Sequence, residues 1–220
     1  MRSLGIAVLV FLVVRTFLLE AFQIPSGSME RTLLAGDFLF VNKIVYGAQI
    51  PGTAARMPGF GNPARGDVIV FAYPRDPELS YVKRVIGLGG DTVAMRHGRV
   101  WINGQPLIEP YVQRTDAGRD PADAQFAWQR AYLVDRSPDV RRRYRPTRDT
   151  WGPLVVPSNR LFVLGDNRDN SADSRYWGFV HRDAVKGQPL VVYFSYERET
   201  GHPVPWLTGI RWARLGSLIH

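Results

Sequence analysis

The sequence predicts a mostly antiparallel β protein behind a single apolar segment. Three observations carry that prediction. Short runs rich in branched and aromatic residues recur at 37–41, 67–71, 81–86, 91–96, 160–164 and 190–196, each bounded by glycine, proline, asparagine or aspartate. Helical patterns between them are few, so hairpins are favoured over parallel crossovers. One long apolar stretch opens the chain. At 220 residues, 45% of them hydrophobic, the chain suits one large domain or one domain with an insertion. No internal repeat is evident.

Residues 4–14 are apolar apart from Gly5; Arg15 and Thr16 interrupt, and Phe17-Leu18-Leu19 resumes. From Leu4 to Phe22 this makes 19 residues, close to the ~20 that span a bilayer. A cleavable signal peptide needs a small-x-small site soon after its apolar run, and Leu-Glu-Ala followed by Phe-Gln-Ile fits poorly. The expectation is an uncleaved anchor over residues 1–22. Arg2 favours a cytoplasmic N-terminus, although Arg15 and Arg31 weaken that vote.

Next comes Phe22-Gln23-Ile24-Pro25-Ser26-Gly27-Ser28-Met29. Pro25 breaks any helix, and Gly27 permits a tight turn, so Ser28 is presented sharply. By itself Pro-Ser-Gly-Ser also reads as an ordinary linker. In the strand at 81–86, Tyr81, Lys83 and Val85 share one face. Apolar neighbours there would desolvate the Lys83 amine and lower its pKa.

Gly87-Leu88-Gly89-Gly90 lacks the spacing of a nucleotide loop and precedes a strand rather than a helix. His97-Gly98 and Asn103-Gly104 read as hairpin turns. Residues 111–157 are polar, proline-punctuated and arginine-rich, with Arg141-Arg142-Arg143-Tyr144-Arg145 at the centre, and read as an insertion with a solvated loop. The polar stretch 165–175 follows a strand, where functional residues often sit. It lacks the glycine and glutamate of a calcium loop and reads as a network fixing one geometry. The C-terminal mixture from Trp206 to Leu215 suits either a membrane interface or a packed tail.

The absence of cysteine excludes thiol nucleophiles, disulfides and thiolate metal sites. The net charge is +8, and 25 of the 28 cations are arginine. Only Lys43, Lys83 and Lys186 are lysine. A guanidinium cannot be deprotonated, whereas a buried ammonium can, so these three are the candidates for a position where arginine would fail. A serine nucleophile needs a base, and His97, His181, His202 and His220 sit in turns or near the tail. Ser28 with Lys83 is the best pair, a known variant of triad logic. The Ser28 N–H and the Ser26 hydroxyl lie on the same turn as donors for an oxyanion.

Four blocks, FQIPSGSM, GDFLFVNK, YVKRVIGLGGD and GDNRDNSADSRYWG, occur in this order behind an apolar N-terminus. Together they resemble the bacterial type I signal peptidase family, from about Leu4 to the C-terminus. The resemblance implies two antiparallel sheets with a smaller inserted unit. On this chain that gives a catalytic β domain of residues 23–104 and 160–220 and an inserted subdomain of 105–159. It implies Ser28 as nucleophile, Lys83 as general base, Ser26 assisting the oxyanion, Ser171 hydrogen-bonding the lysine amine, and Asp173 and Arg175 supporting the site. Arg31 and His181 stand where family members usually carry proline, which puts local loop geometry in doubt.

The implied reaction removes signal peptides from secreted preproteins on the outer side of the bacterial cytoplasmic membrane. Such substrates carry small residues at −1 and −3, which shallow pockets would select. Gln23, Ile24, Pro25, Met29, Leu33, Tyr81 and Val82 are the expected substrate-binding residues, with the substrate adding as a strand between 23–25 and 81–82. The expected partners are preproteins and a phospholipid bilayer. No cofactor, metal or nucleic acid is expected, and the protein is expected to be a monomer. Two rivals are a self-cleaving repressor of the LexA type, with a related core, and a catalytically silent membrane-anchored protein binding through its arginine-rich surface.

Overall fold

A computed structural model describes residues 2–48, 53, 55–198 and 204–220. It opens with helix α1 (Arg2–Val13), continued by wider π-type turns over Val14–Leu18. Strands β1 (Leu19–Gln23), β2 (Asp37–Asn42), β3 (Val68–Tyr73) and β4 (Asp76–Gly87) follow. Then come β5 (Thr92–Arg96), β6 (Arg99–Ile102) and β7 (Gln105–Pro106). After 3₁₀ turns over Ala124–Tyr132 lie helix α2 (Pro138–Arg143), β8 (Trp151–Val155) and β9 (Arg160–Leu164). The chain ends with α3 (Ser174–Trp177), β10 (Val180–His181), β11 (Val185–Ser195) and α4 (Pro205–Thr208).

Among the described residues the strands form two sheets, one of seven strands in the order β1-β2-β11-β3-β4-β9-β10 and one of four in the order β7-β6-β5-β8. All their pairings are antiparallel. In β3 the alternation of side chains sends Val68 and Val70 to one cluster and Ile69 and Phe71 to another. Both faces of the sheet are covered there, which is why the run is continuously apolar. A third cluster joins the sheets: Ile86, Phe162 and Leu164 pack with Val93, Met95, Val100, Trp151 and Leu154. The turn residues of β5–β6 and β6–β7, His97-Gly98 and Asn103-Gly104, all have positive φ, the geometry of tight hairpins whose twist matches the strands. β7 and β8, from residues 105–159, pair with β6 and β5, from residues before them.

The apolar segment departs from expectation. Helical structure ends at Leu18 instead of reaching Phe22, and Leu19–Gln23 is strand β1, with Leu19 opposite Asn42 and Gln23 opposite Phe38. Pairing with β2 satisfies this backbone and lets Phe22 pack against the core. From Arg2 to Leu18 the chain rises at most roughly 26 Å, short of a hydrocarbon core of ~30 Å. No helix among the described residues is long and apolar enough to cross a membrane. The side chains of Leu4, Ile6, Val8, Leu9, Val10, Phe11, Leu12 and Val13 are nevertheless exposed.

Phe162 is fully buried between Trp151 and Phe179, with ring centroids 5.1 and 6.0 Å away. Phe162→Ala is expected to cost about 3–5 kcal/mol. Denaturant titration would read this as a lower midpoint at unchanged slope, and an unchanged midpoint would show that the joint between the sheets adds little.

Candidate active site

Pro25 ends the extended run leaving β1, and Ser26 remains extended at φ −136°, ψ 162°. Gly27–Met29 then forms a single 3₁₀ turn. Met29 is buried in the core and anchors the turn from below, leaving Ser28 half-buried at its apex. The Ser28 carbonyl accepts from the Asn167 N–H at 3.1 Å. A side chain at Gly165 would collide with the Ser28 carbonyl and the Ser171 hydroxyl, so only glycine lets these backbones meet.

Lys83 lies opposite Ile69 in the β3–β4 register, and only 4% of it is exposed. Its Nζ is 2.7 Å from Ser28 Oγ and donates to the Val82 carbonyl at 3.0 Å. Burial pushes the lysine down to about 8 from its usual 10.5. Asp173 and Asp166 oppose that shift, and the Arg175 charge reinforces it. Ser26 Oγ sits 3.5 Å from Ser28 Oγ.

Residues 165–175 form a buried ionic frame around this pair. Arg175 grips Asp173 through Nε and Nη2, both at 2.8 Å, and the Gly165 N–H adds a bond at 3.1 Å. Burial raises the Asp173 pKa, but these partners outweigh it and hold the carboxyl below the usual range. Arg84 grips Asp166 at 2.9 and 2.7 Å, and Thr32 donates to the same carboxylate at 2.5 Å. The Arg84 guanidinium stacks 3.9 Å from the Tyr111 ring and also donates to the His220 carbonyl. Arg168 clasps Glu109 at 3.1 and 2.6 Å.

A cleft of about 340 Å³ opens beside Ser28 and Lys83, lined by Ile24, Pro25, Met29, Tyr81, Val82 and, further along, Phe22, Ser80, Asn170 and Ala172. Two expected binding residues lie elsewhere. Leu33 is fully buried in the cluster behind the cleft, with Ile24 and Met29 in front. Gln23 is exposed on β1. Ser171 is buried, and its hydroxyl lies toward Asp173, whose charged form it favours; the Lys83 amine bonds to Ser28 and Val82 instead. Arg84 and Thr32, to which the sequence reading gave no role, complete the frame with Asp166 and Asn167 of the polar stretch. Asn167 ties the serine turn twice, through its N–H to Ser28 and its Nδ2 to Glu30 at 2.8 Å.

The family model described as signal peptidase, peptidase S26, matches residues 1–194. Signal peptidase I of Pseudomonas aeruginosa is 42% identical over 205 residues, covering 85% of this chain and 69% of the relative. The Leptolyngbya laminosa protein of the same name is 38% identical over 212 residues, covering 92% and 83%. A crystal structure of a signal peptidase I from Enterococcus faecalis is 35% identical, covers 58% of this chain and 96% of that one, and superposes with a TM-score of 0.39. The chain belongs to the S26 signal peptidase family and is a serine endopeptidase of that family.

Removing one partner of a buried ion pair strands the other charge away from water. Asp173→Asn keeps the shape at that position but leaves Arg175, itself fully buried, without its anion. A destabilisation of about 3–5 kcal/mol is expected, read by thermal or chemical unfolding. A loss below ~1 kcal/mol would mean that the pair does not hold the loop.

Proposed function

We propose that this enzyme removes signal peptides from secreted preproteins, cleaving after small residues at −1 and −3, with Ser28 as nucleophile and Lys83 as general base. The observation that carries the reading is the 2.7 Å approach of a buried, pKa-depressed lysine amine to a serine hydroxyl at the end of a mainly apolar cleft. In the neutral state the amine accepts the Ser28 proton as Oγ attacks the carbonyl carbon of residue −1. The negative charge that develops on the carbonyl oxygen faces the turn carrying the Ser28 N–H and the Ser26 hydroxyl. The lysine, now an ammonium, hands the proton to the leaving amine. The resulting ester is cleared by water, with Lys83 again taking the proton.

Ile24, Met29 and Val82 wall the cleft, leaving room for alanine-sized side chains. A substrate strand beside residues 23–25 and 81–82 would present alternate side chains to that wall, which accounts for selection at −1 and −3 together. The exposed apolar flank of α1, with Trp206, Leu207 and Trp212 near the C-terminus also exposed, supports attachment to a bilayer, and in this reading the catalytic domain lies on its outer side. The basic surface and the short reach of α1 fit an interfacial contribution from the domain as well.

Cleavage of a preprotein with an Ala-x-Ala site by the detergent-solubilised protein tests the reading, with Ser28→Ala as the inactive control. Lys83→Arg retains a cation that cannot act as a base, so turnover should fall about 10²–10⁴-fold while the fold survives. Near-normal turnover would overturn the assignment. The pH profile follows from the sign of the shift. Lys83 is neutral above about 8, so kcat/KM should rise with pH through that value and fall about tenfold per unit well below it. A profile flat down to pH 5 would exclude lysine as the base.

A further inference from the structure

Lys186 is one of the three lysines of the chain, and nothing in the proposed reaction uses it. It occupies a β-bulge. Val185 lies opposite Phe71 and Gly187 opposite Val70, so Lys186 is the extra residue, unpaired in the ladder. Bulges of this kind re-aim a side chain, often next to an active site. The side chain reaches over β3, and its ammonium donates to Ser80 Oγ on β4 at 2.7 Å. Ser80 lines the same cleft as Ser28 and Lys83, three positions earlier on the strand. Lys186 is half-buried and makes no ion pair among the described residues. The cations of the frame behave differently: Arg84, Arg168 and Arg175 each close on a carboxylate. An ammonium with no ion-pair partner among the described residues, bonded to a hydroxyl that lines the cleft, is half of an interaction.

We propose that Ser80 and Lys186 form a subsite that binds a carboxylate side chain of the substrate four or five residues before the scissile bond. This rests on the cleavage reaction proposed above. The position follows from strand geometry. Ser80 and Lys83 are three residues apart, roughly 10 Å along β4. A substrate strand with residue −1 at Ser28 advances by the same rise, so it places residue −4 or −5 beside Ser80. Lys186 retains ammonium N–H groups beyond the one given to Ser80, and the Ser80 hydroxyl, accepting from Lys186, keeps its own proton to donate to the same carboxylate. A lysine suits the bulge because its compact ammonium needs only a point contact with Ser80, whereas a planar guanidinium demands a matching fork.

The test uses the detergent-solubilised full chain and matched peptides with alanine at −3 and −1, carrying Glu, Gln or Lys at −4 or at −5. The measured quantity is the ratio of kcat/KM for Glu over Gln peptides within one preparation, which cancels any loss of folded enzyme. The wild type should prefer Glu about 3- to 10-fold at one of the two positions, chiefly through KM and less so at high salt. Lys186→Met should bring the ratio to about 1, and Lys186→Glu should turn the preference toward the Lys peptide. Equal cleavage of Glu and Gln peptides by the wild type at both positions, or an unchanged ratio in Lys186→Met, would overturn the subsite while leaving the peptidase reading intact. Failure of the wild type to cleave any of the peptides would overturn that reading and the subsite with it.

Discussion

A lysine amine can take a proton from a serine only if it is neutral, and desolvation is what brings the neutral form of Lys83 within reach, by lowering its pKa to about 8. The loss of water is the largest influence on its pKa, but two carboxylates, Asp166 and Asp173, lie near enough to pull the other way. Each is matched by its own guanidinium, Arg84 for Asp166 and Arg175 for Asp173. At the amine the Arg175 charge opposes part of the carboxylates' pull, and burial outweighs what remains. Were the carboxylates to win, they would favour the ammonium, and Ser28 would face a cation with no free lone pair.

The same pairs set the geometry. A buried ion pair contributes little net stability, because desolvation offsets the Coulomb attraction. What it does supply is a single permitted arrangement, since any other leaves a charge unpaired in the core. Asp173 binds the Gly165 N–H as well as Arg175, so the loop closes on itself. Gly165 and Asn167 then press on the Ser28 carbonyl from that closed loop. Ser28 is consequently held from two directions, by Met29 in the core below and by the ionic frame beside it. Lys83, on a strand in mid-sheet, supplies the fixed partner.

Ser28 and Lys83 were legible in the sequence because a turn signal and an apolar strand carry local signatures. Arg84 was not. Alternation puts it on the face opposite Lys83, and on a half-buried strand that face meets water. Here β4 is covered on both faces from Val82 onward, and Arg84 is 2% exposed. Only knowledge of what covers the second face would have paired it with Asp166, 82 positions away. The end of the apolar segment was misread for a different reason. Leu18-Leu19-Glu20-Ala21 consists of strong helix formers, and the pairing of β1 with β2, a tertiary effect, overrides that local preference. The partition into sheets was hidden for the same cause: β8 joins β5 across more than fifty residues, with a register no local pattern encodes.

The placement of β1 has a consequence for how a preprotein would arrive. β1 begins where the apolar segment ends and runs toward Ser28, and Phe22 and Ser28 both line the cleft. β4 runs the same way, from Ser80 to Lys83. Both walls of the cleft therefore run from the end of the apolar segment toward Ser28, which lies six residues beyond Phe22. In the proposed reaction the substrate has the same layout, an apolar stretch followed by a short polar segment and then the scissile bond. Laid between these walls with its upstream end at Phe22, a substrate whose apolar stretch lies beside α1 would reach Ser28 without reversing direction. A cleft of the opposite polarity would need the substrate to turn back on itself between membrane and nucleophile, and that turn would spend the few residues that separate its apolar stretch from the bond to be cut.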